Sequence, residues 1–160
     1  MLLWAATETQ DEGQVTVDGH ELEAVLAGLL PCTTYSVSIQ GVTQDEMFGE
    51  AANLELTTKE VAPGKVTSLS PVTVTQDSFE VRWQEPAQDP QCVASFETSL
   101  ESCGGGRWEG AGGRSSWTYH TEGNLTCDTC YGLTVTGVSS SGLRGQPATI
   151  DIWTRECPPV

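Results

Sequence analysis

The chain has 160 residues, 38% of them hydrophobic and 18% charged, so it holds enough apolar material for a packed core and lacks the composition of a disordered chain. Its length suits one mid-sized domain or two small ones. Lysine and arginine number 7 and acidic residues 22, giving a formal charge of −15. That charge argues against nucleic acid or an anionic membrane as a partner, because phosphates would be repelled.

In the first 60 residues, apolar side chains alternate with polar ones at positions 35–39 and 54–56. This period of two is typical of half-buried strands. Only Leu22 to Leu30 approaches helical spacing, and that run is short and ends at Pro31. We therefore predict strands, and no stable helix, in this part of the chain.

Beyond residue 60, the same alternation predicts seven short strands separated by Gly, Pro, Asp and Ser turns. Pro71 interrupts the first of them, as an edge strand tolerates. In chain order, the strands are expected at 66–74, 79–83, 93–100, 107–109, 117–121, 131–135 and 150–152. Seven short strands in this length predict a two-sheet sandwich, so the fold class is all-β.

The chain contains an internal repeat, since a shift of 96 residues places Tyr35 on Tyr131 and the residues after each match without a gap. Residue 4 then falls on residue 100, so the first copy begins in the middle of the unit and lacks about a third of it. The boundary is the proline-containing stretch 61–64. We predict a partial domain at 1–60, a complete one at 61–157 and the start of a following unit at 158–160.

Six cysteines, an even number in a small chain, indicate an oxidising compartment, and the sequon Asn124-Leu125-Thr126 points the same way. No run of 18 apolar residues occurs, and the apolar start at Met1 turns polar within eight residues, which is too short for a signal peptide. We therefore expect a fragment of an extracellular or cell-surface protein.

The motif Leu29-x-Pro31-x-Thr33-x-Tyr35 resembles the E-to-F corner of the fibronectin type III family. The tryptophan in Phe79-Glu80-Val81-Arg82-Trp83 resembles that of the family's strand B. The resemblance covers all of 61–157 and the back two-thirds of a unit at 1–60. It implies tandem fibronectin type III-like β-sandwiches, the first of them incomplete, with strands C to G only.

The resemblance also assigns structural roles at each corner. Leu29 and Leu125 would plug the two cores, and Tyr35 and Tyr131 would bond their hydroxyls back to the corner backbone. Cys127 stands where proline is usual, so we expect a departure from the family in the local turn alone.

Sequence alone leaves many disulfide pairings open. The family's strand order would bring the end of strand C and the start of strand F to one end of the sandwich, together with the residues after strand G. The resemblance therefore implies bridges between Cys103 and Cys130 and between Cys127 and Cys157.

The two bridges leave Cys32 and Cys92 without an assigned partner. Cys32 and Cys92 are either unpaired, because a partner was lost with the missing strands, or joined between the two units.

Asn124 directly precedes the core residue Leu125, so the chain must turn there and we expect an exposed side chain that can carry a glycan.

Patterns that would indicate catalysis or metal binding have simpler explanations. Cys127-x-x-Cys130 has redox or zinc spacing, but it lies in a β corner and no second ligand pair accompanies it. The glycines at 104–106 lack the Lys-Ser/Thr ending of a phosphate loop, and the serines at 139–141 lack a nucleophile elbow. The acidic residues of the first copy lack calcium-loop spacing. We expect no enzyme activity, no metal and no cofactor.

The F-to-G loops are the candidate partner sites, since the family often carries binding determinants there. The first loop presents Met47 and Phe48, and the second presents Leu143 and Arg144. Neither carries an Arg-Gly-Asp triplet. The partner would be a protein, and the neighbouring domains of the same array would be further contacts.

We favour a non-catalytic extracellular adhesion or receptor module, a segment of a longer cell-surface or secreted protein that mediates protein–protein interaction and spacing. The alternative is an accessory domain array of a secreted hydrolase, which a catalytic domain elsewhere in the parent gene would identify. A further alternative is a redox protein using Cys127 and Cys130, and free thiols at these residues would identify it.

Overall fold

The computed structural model describes the backbone of residues 2–6, 11–104 and 106–160 and the side chains of residues 11–104 and 113–160. The middle residue of the glycine stretch at 104–106 therefore lies outside the described residues. The chain divides into two compact units, Met1–Glu60 (unit 1) and Val61–Val160 (unit 2). Across the described ranges, no helical segment has the length and apolarity that a bilayer crossing demands.

The described residues of unit 1 form an antiparallel sheet of four strands in the order β2-β1-β3-β4. These strands are β1 (Leu2–Ala6), β2 (Glu12–Val15), β3 (Thr34–Ile39) and β4 (Ala52–Thr57). Among the described residues, the stretch 16–33 forms neither strand nor helix. The strands that the alternation predicts near 35–39 and 54–56 are present.

The core of unit 1 is small. Tyr35 and Val37 are buried, with Leu26, Leu29 and Leu56 packed partly against them. Further along the same two strands, the sheet face opens to solvent. On this face, the apolar side chains of Ile39 and Leu54 are half-exposed.

Over the described parts of 61–160, unit 2 forms seven strands in two antiparallel sheets, of order β5-β6-β9 and β11-β10-β7-β8. The strands are β5 (Thr67–Val74), β6 (Phe79–Gln84), β7 (Ser95–Ser102), β8 (Gly106–Ser115), β9 (Tyr119–Glu122), β10 (Cys130–Val138) and β11 (Ala148–Trp153), with a 3₁₀ turn at Pro90–Cys92 between β6 and β7. All seven predicted strands are present, and β8 is longer than expected. In order, they correspond to strands A, B, C, C′, E, F and G of a fibronectin type III sandwich.

Alternation along each strand builds the core of unit 2. On β6, Phe79, Val81 and Trp83 are buried, while the residues between them face outward. Trp83 meets Phe96 of β7 edge to face, with ring centroids 5.5 Å apart. Leu125 is also buried in this core. The two sheets therefore cover each other's apolar faces.

The pairing register of unit 1 recurs in unit 2. Tyr35 pairs with Leu56 across β3 and β4. The residues 96 positions later, Tyr131 and Ile152, pair across β10 and β11. Residue 4 pairs with Val37, just as residue 100 pairs with residue 133. The sheet of unit 1 is thus the counterpart of the β11-β10-β7-β8 sheet.

Candidate interaction site

Each unit contains a corner where a tyrosine hydroxyl holds the preceding turn. The Tyr35 hydroxyl accepts a hydrogen bond from the backbone N–H of Leu30 at 2.9 Å. The Tyr131 hydroxyl accepts one from the N–H of Thr126, also at 2.9 Å. Both tyrosine side chains are buried, so the two corners are fixed from inside the units.

Replacement of proline by cysteine in the second corner leaves the turn unchanged. The Thr33 hydroxyl donates to the carbonyl of Pro31 at 2.8 Å. The Thr129 hydroxyl donates to the carbonyl of Cys127 at 2.9 Å. The residue that follows, Cys32 or Asp128, has positive φ in both corners. Cys127 therefore keeps the corner and adds a sulfur atom to it.

Two disulfides close one end of unit 2. Cys103 at the end of β7 is joined to Cys130 at the start of β10, with Cα atoms 5.4 Å apart. Cys127 in the corner is joined to Cys157 after β11, with Cα atoms 5.0 Å apart. Both pairs span sequence separations near 30 residues, so each is a cross-link between distant parts of the chain and not a local clip.

Cys32 and Cys92 are also disulfide-bonded, so the alternative that they are unpaired is wrong. The part of the chain that the structure describes holds no free cysteine. Cys127 and Cys130 are bonded to different partners, which contradicts a redox site built on them. Asp151 lies near the Cys103–Cys130 sulfurs, but sulfurs bonded to each other are not thiolate ligands for a metal.

The loop between β10 and β11 has a hydrogen-bonded frame. The N–H of Ser139 donates to the carbonyl of Leu143 at 2.9 Å, and the Ser139 hydroxyl accepts from the N–H of Leu143 at 3.0 Å. The N–H of Gly145 donates to the carbonyl of Gly137 at 2.8 Å. Ser139 is buried, so the serine run at 139–141 begins with a residue that anchors the loop.

Unit 1 builds the same frame between β3 and β4. Thr43 takes the place of Ser139, since its N–H donates to the carbonyl of Met47 at 3.0 Å and its hydroxyl accepts from the N–H of Met47 at 3.1 Å. Gly49 donates to the carbonyl of Gly41 at 2.9 Å. At the tip, Glu46 adopts the positive φ that Gly142 adopts in unit 2. The backbone of the two loops is therefore equivalent.

The side chains at the loop tips differ. In unit 1, Met47 and Phe48 are 65% and 58% exposed. At the same two positions, unit 2 has Leu143 and Arg144, both exposed. One frame thus presents an apolar pair in the first loop and an apolar residue beside a cation in the second.

Arg144 belongs to a charge cluster that the sequence analysis did not identify. Its guanidinium contacts Oε2 of Glu97 on β7 at 2.7 Å, and Arg114 on β8 contacts Oε1 at 2.6 Å. The hydrogen bond from Arg114 holds the pKa of Glu97 below its usual range, Arg144 acts in the same direction, and burial opposes both. Two arginines on one carboxylate leave a net positive charge beside the loop of an acidic protein.

Asn124 lies in the turn between β9 and the corner. Its side chain is exposed and its φ is 57°, a left-handed conformation that asparagine tolerates. The next residue, Leu125, is buried and donates its N–H to the carbonyl of Asp77 at 2.9 Å. Thr126 is exposed. Both sequon side chains therefore face solvent.

No family model matches the chain. Among curated proteins, 88 residues are 30% identical to a cytokine receptor of Drosophila melanogaster, covering 55% of this chain and 7% of that protein. Another match of 80 residues is 34% identical to the phosphatidylinositol phosphatase PTPRQ of Rattus norvegicus, covering 49% of this chain and 4% of that protein. The chain spans less than a tenth of the length of these curated relatives.

Among solved structures, domains d3–d4 of the rat CD45 extracellular region match with a TM-score of 0.63 at 20% identity, covering 92% of this chain and 78% of that one. A segment of two fibronectin type III domains from chicken tenascin matches with a TM-score of 0.52 at 17% identity, covering 96% and 82%. With the strand order of unit 2, these similarities show that the chain has the fibronectin type III fold.

Proposed function

We propose that the chain is a non-catalytic extracellular segment of a receptor or adhesion protein, and that its two F–G loops bind protein partners. The observation that carries the proposal is the repeated loop frame with unlike tips. A frame kept by the same hydrogen bonds in both units holds Met47 and Phe48 in one and Leu143 and Arg144 in the other. Rigid presentation of exchangeable side chains is how loops on a scaffold recognise partners.

The chemistry of the tips suits a protein surface. Methionine, aromatic residues and arginine are enriched at protein–protein interfaces. Arg144 is held by Glu97, so less conformational entropy is lost when a partner binds it than for a free arginine. The neighbouring Arg114 adds a second exposed cation. A partner of the second loop would therefore present acidic groups.

The extracellular assignment draws on the cysteines and the relatives. Disulfides persist in oxidising compartments and are rare in the cytosol, and none of the described cysteines is free. One relative is a cytokine receptor and one solved neighbour is an extracellular region. The same setting would allow Asn124 to carry an N-linked glycan.

The binding proposal is tested with the chain biotinylated, tetramerised on streptavidin and applied to a panel of intact cell lines in flow cytometry. We expect staining of at least one line, reduced about tenfold or more by Met47→Ser with Phe48→Ser or by Arg144→Glu. Val72→Ser, an exposed apolar residue on β5, is the control. Staining unaffected by either loop change, or no staining of any line, would contradict the proposal.

The glycan is tested separately. Secreted from a eukaryotic cell behind a signal peptide, the chain should lose mass on treatment with an N-glycosidase, and Asn124→Gln should remove that difference. Unshifted mass of the secreted wild-type chain would count against a glycan at Asn124.

A further inference from the structure

Unit 1 has an apolar sheet face that the corresponding sheet of unit 2 keeps covered. In unit 2, Val135 is fully buried and Ile150 is packed against the core beneath β5, β6 and β9. The residues 96 positions earlier, Ile39 and Leu54, are 46% and 49% exposed. The same face is thus closed in one unit and open in the other.

The segment that should form an edge strand of the missing sheet is not a strand in unit 1. In unit 2, Tyr119–Glu122 form β9 by pairing with β6. The residues 96 positions earlier, 23–26, form no strand within the described chain. Because a strand needs a partner for its backbone hydrogen bonds, residues 23–26 lack the counterpart of β6.

A pair of glycines gives a third, independent indication. In unit 2, Pro63 lies in the segment that precedes β5, and it is buried against the base of the F–G loop. A Cβ on Gly145 would overlap the carbonyl oxygen of Pro63, and a Cβ on Gly137 would lie 3.4 Å from the Pro63 ring. These two glycines therefore form a slot that a proline-containing backbone fills.

Unit 1 has the same slot. Gly41 and Gly49 occupy the positions of Gly137 and Gly145, and they keep the same hydrogen bond between them. Within the described part of the chain, a Cβ on Gly41 would meet no atom within 4 Å, and one on Gly49 would meet only the Gly41 carbonyl at 3.7 Å.

In unit 2, residues 61–96 cover the sheet face, supply the strand that pairs with β9 and fill the glycine slot. Residue 97 is the counterpart of residue 1. We propose that the open face and the glycine slot of unit 1 bind a segment of the same polypeptide that precedes residue 1. The residues that this segment must contain follow from residues 61–96, which cover the same face in unit 2. It carries a proline for the slot, then two antiparallel strands, the second with large apolar side chains at three alternate positions.

The proposal is tested on the full chain extended at its N-terminus by a second copy of residues 61–96, with Cys92→Ser in the added copy to avoid a free thiol. We expect amide exchange in β3 and β4 to slow by about tenfold or more relative to the unextended chain. A matched extension carries Phe79→Ser, Val81→Ser and Trp83→Ser in the added copy. It should give no protection. The amides of β10 and β11 serve as an internal reference for correct folding.

The slot supplies a second readout. Gly49→Ala should leave the unextended chain unchanged, because its Cβ meets only open space and one carbonyl. In the extended chain, the same substitution should reverse the protection of β3 and β4 by about tenfold, because the added proline would clash with it.

Three results would overturn the proposal. The first is equal exchange in β3 and β4 with and without the intact extension. The second is an effect of Gly49→Ala that is the same in both chains. The third is a dimer of the unextended chain whose β3 and β4 amides become protected as concentration rises, which would assign the face to a second copy.

Discussion

The guanidinium of Arg144 contacts the carboxylate of Glu97 at 2.7 Å and so joins the F–G loop of unit 2 to β7. The loop tip is thereby held by a side chain of its own sheet as well as by its backbone frame. This contact links the position of a proposed binding residue to the ionisation of one carboxyl group.

Acid should weaken that link. The pKa of Glu97 is lowered in the folded chain, chiefly by the Arg114 hydrogen bond. The resulting stabilisation is present above the unfolded value, about 4.5, and is lost as the pH falls through the lower folded value. We expect Glu97→Gln to flatten the acid limb of a plot of urea midpoint against pH. Glu101→Gln, an exposed change on the same strand, is the control, and an equal effect of both would contradict the assignment.

Removing one tyrosine hydroxyl should destabilise its unit. Tyr131→Phe leaves the N–H of Thr126 without its acceptor at the corner. We expect the free energy of unfolding of unit 2 to fall by about 1–3 kcal/mol, measured by urea denaturation. Tyr119→Phe, at an exposed position, should cost far less. An unchanged midpoint for Tyr131→Phe would show that the hydroxyl does not hold the corner.

Unit 1 should lose stability in alkali. Burial, and then the hydrogen bond to Asp11, raise the pKa of Tyr35 above 10.0. The unfolded chain releases this proton near pH 10 while the folded chain retains it, so stability is full below that pH and falls as the pH rises toward the folded value. Amide exchange of β3 should therefore accelerate above about pH 10 more steeply than base catalysis alone explains. Tyr35→Phe should remove the part of this acceleration that base catalysis does not explain. If that part persists in Tyr35→Phe, the loss of stability belongs to another titrating group.

A buried hydroxyl in unit 2 should be dispensable. The Thr98 side chain is buried on β7, and its Oγ1 has no hydrogen-bond partner in the described chain. Thr98→Val should raise the free energy of unfolding by about 1 kcal/mol, because an unsatisfied polar atom is removed from the core. Thr121→Val on β9, where the side chain is exposed, is the control. A loss of stability in Thr98→Val would show that the hydroxyl has a partner in solution.

The Cys127–Cys157 bridge should contribute to stability. It closes a loop with a sequence separation of 30, and replacing both cysteines by serine should lower the free energy of unfolding by about 3 kcal/mol. Non-reducing peptide mapping of the wild-type chain should recover this pair and the Cys103–Cys130 pair. A fragment joining Cys127 to Cys130 would contradict both assignments.

The fold was readable from the sequence because period-two alternation and turn residues dominate it. The three buried residues of β6 alternate so clearly that one sheet face is evident without a structure. The repeat offset likewise fixed which strands correspond. Strand ends were less accurate, since β8 extends from Gly106 to Ser115 through glycines that carry little pattern.

The candidate site was only partly predictable. The exposed tips at Met47, Phe48 and Leu143 follow from turn position. The loop frame was missed because it depends on hydrogen bonds across each loop, including those that the Thr43 and Ser139 hydroxyls accept. The Glu97 cluster arises from cross-strand register, because Arg114 and Arg144 are distant from Glu97 in sequence. The Gly145 and Pro63 contact is hidden for the same reason.

The claim that the loop tips determine binding is tested most directly by exchanging them, with Met47→Leu and Phe48→Arg in unit 1 and Leu143→Met and Arg144→Phe in unit 2. Because both loops share one backbone frame, the exchanged chain should fold as the parent does. Binding to a responsive cell line should follow the side chains, so that binding lost through changes at 47 and 48 returns when Met and Phe stand at 143 and 144. Binding that is indifferent to the exchange would contradict the account.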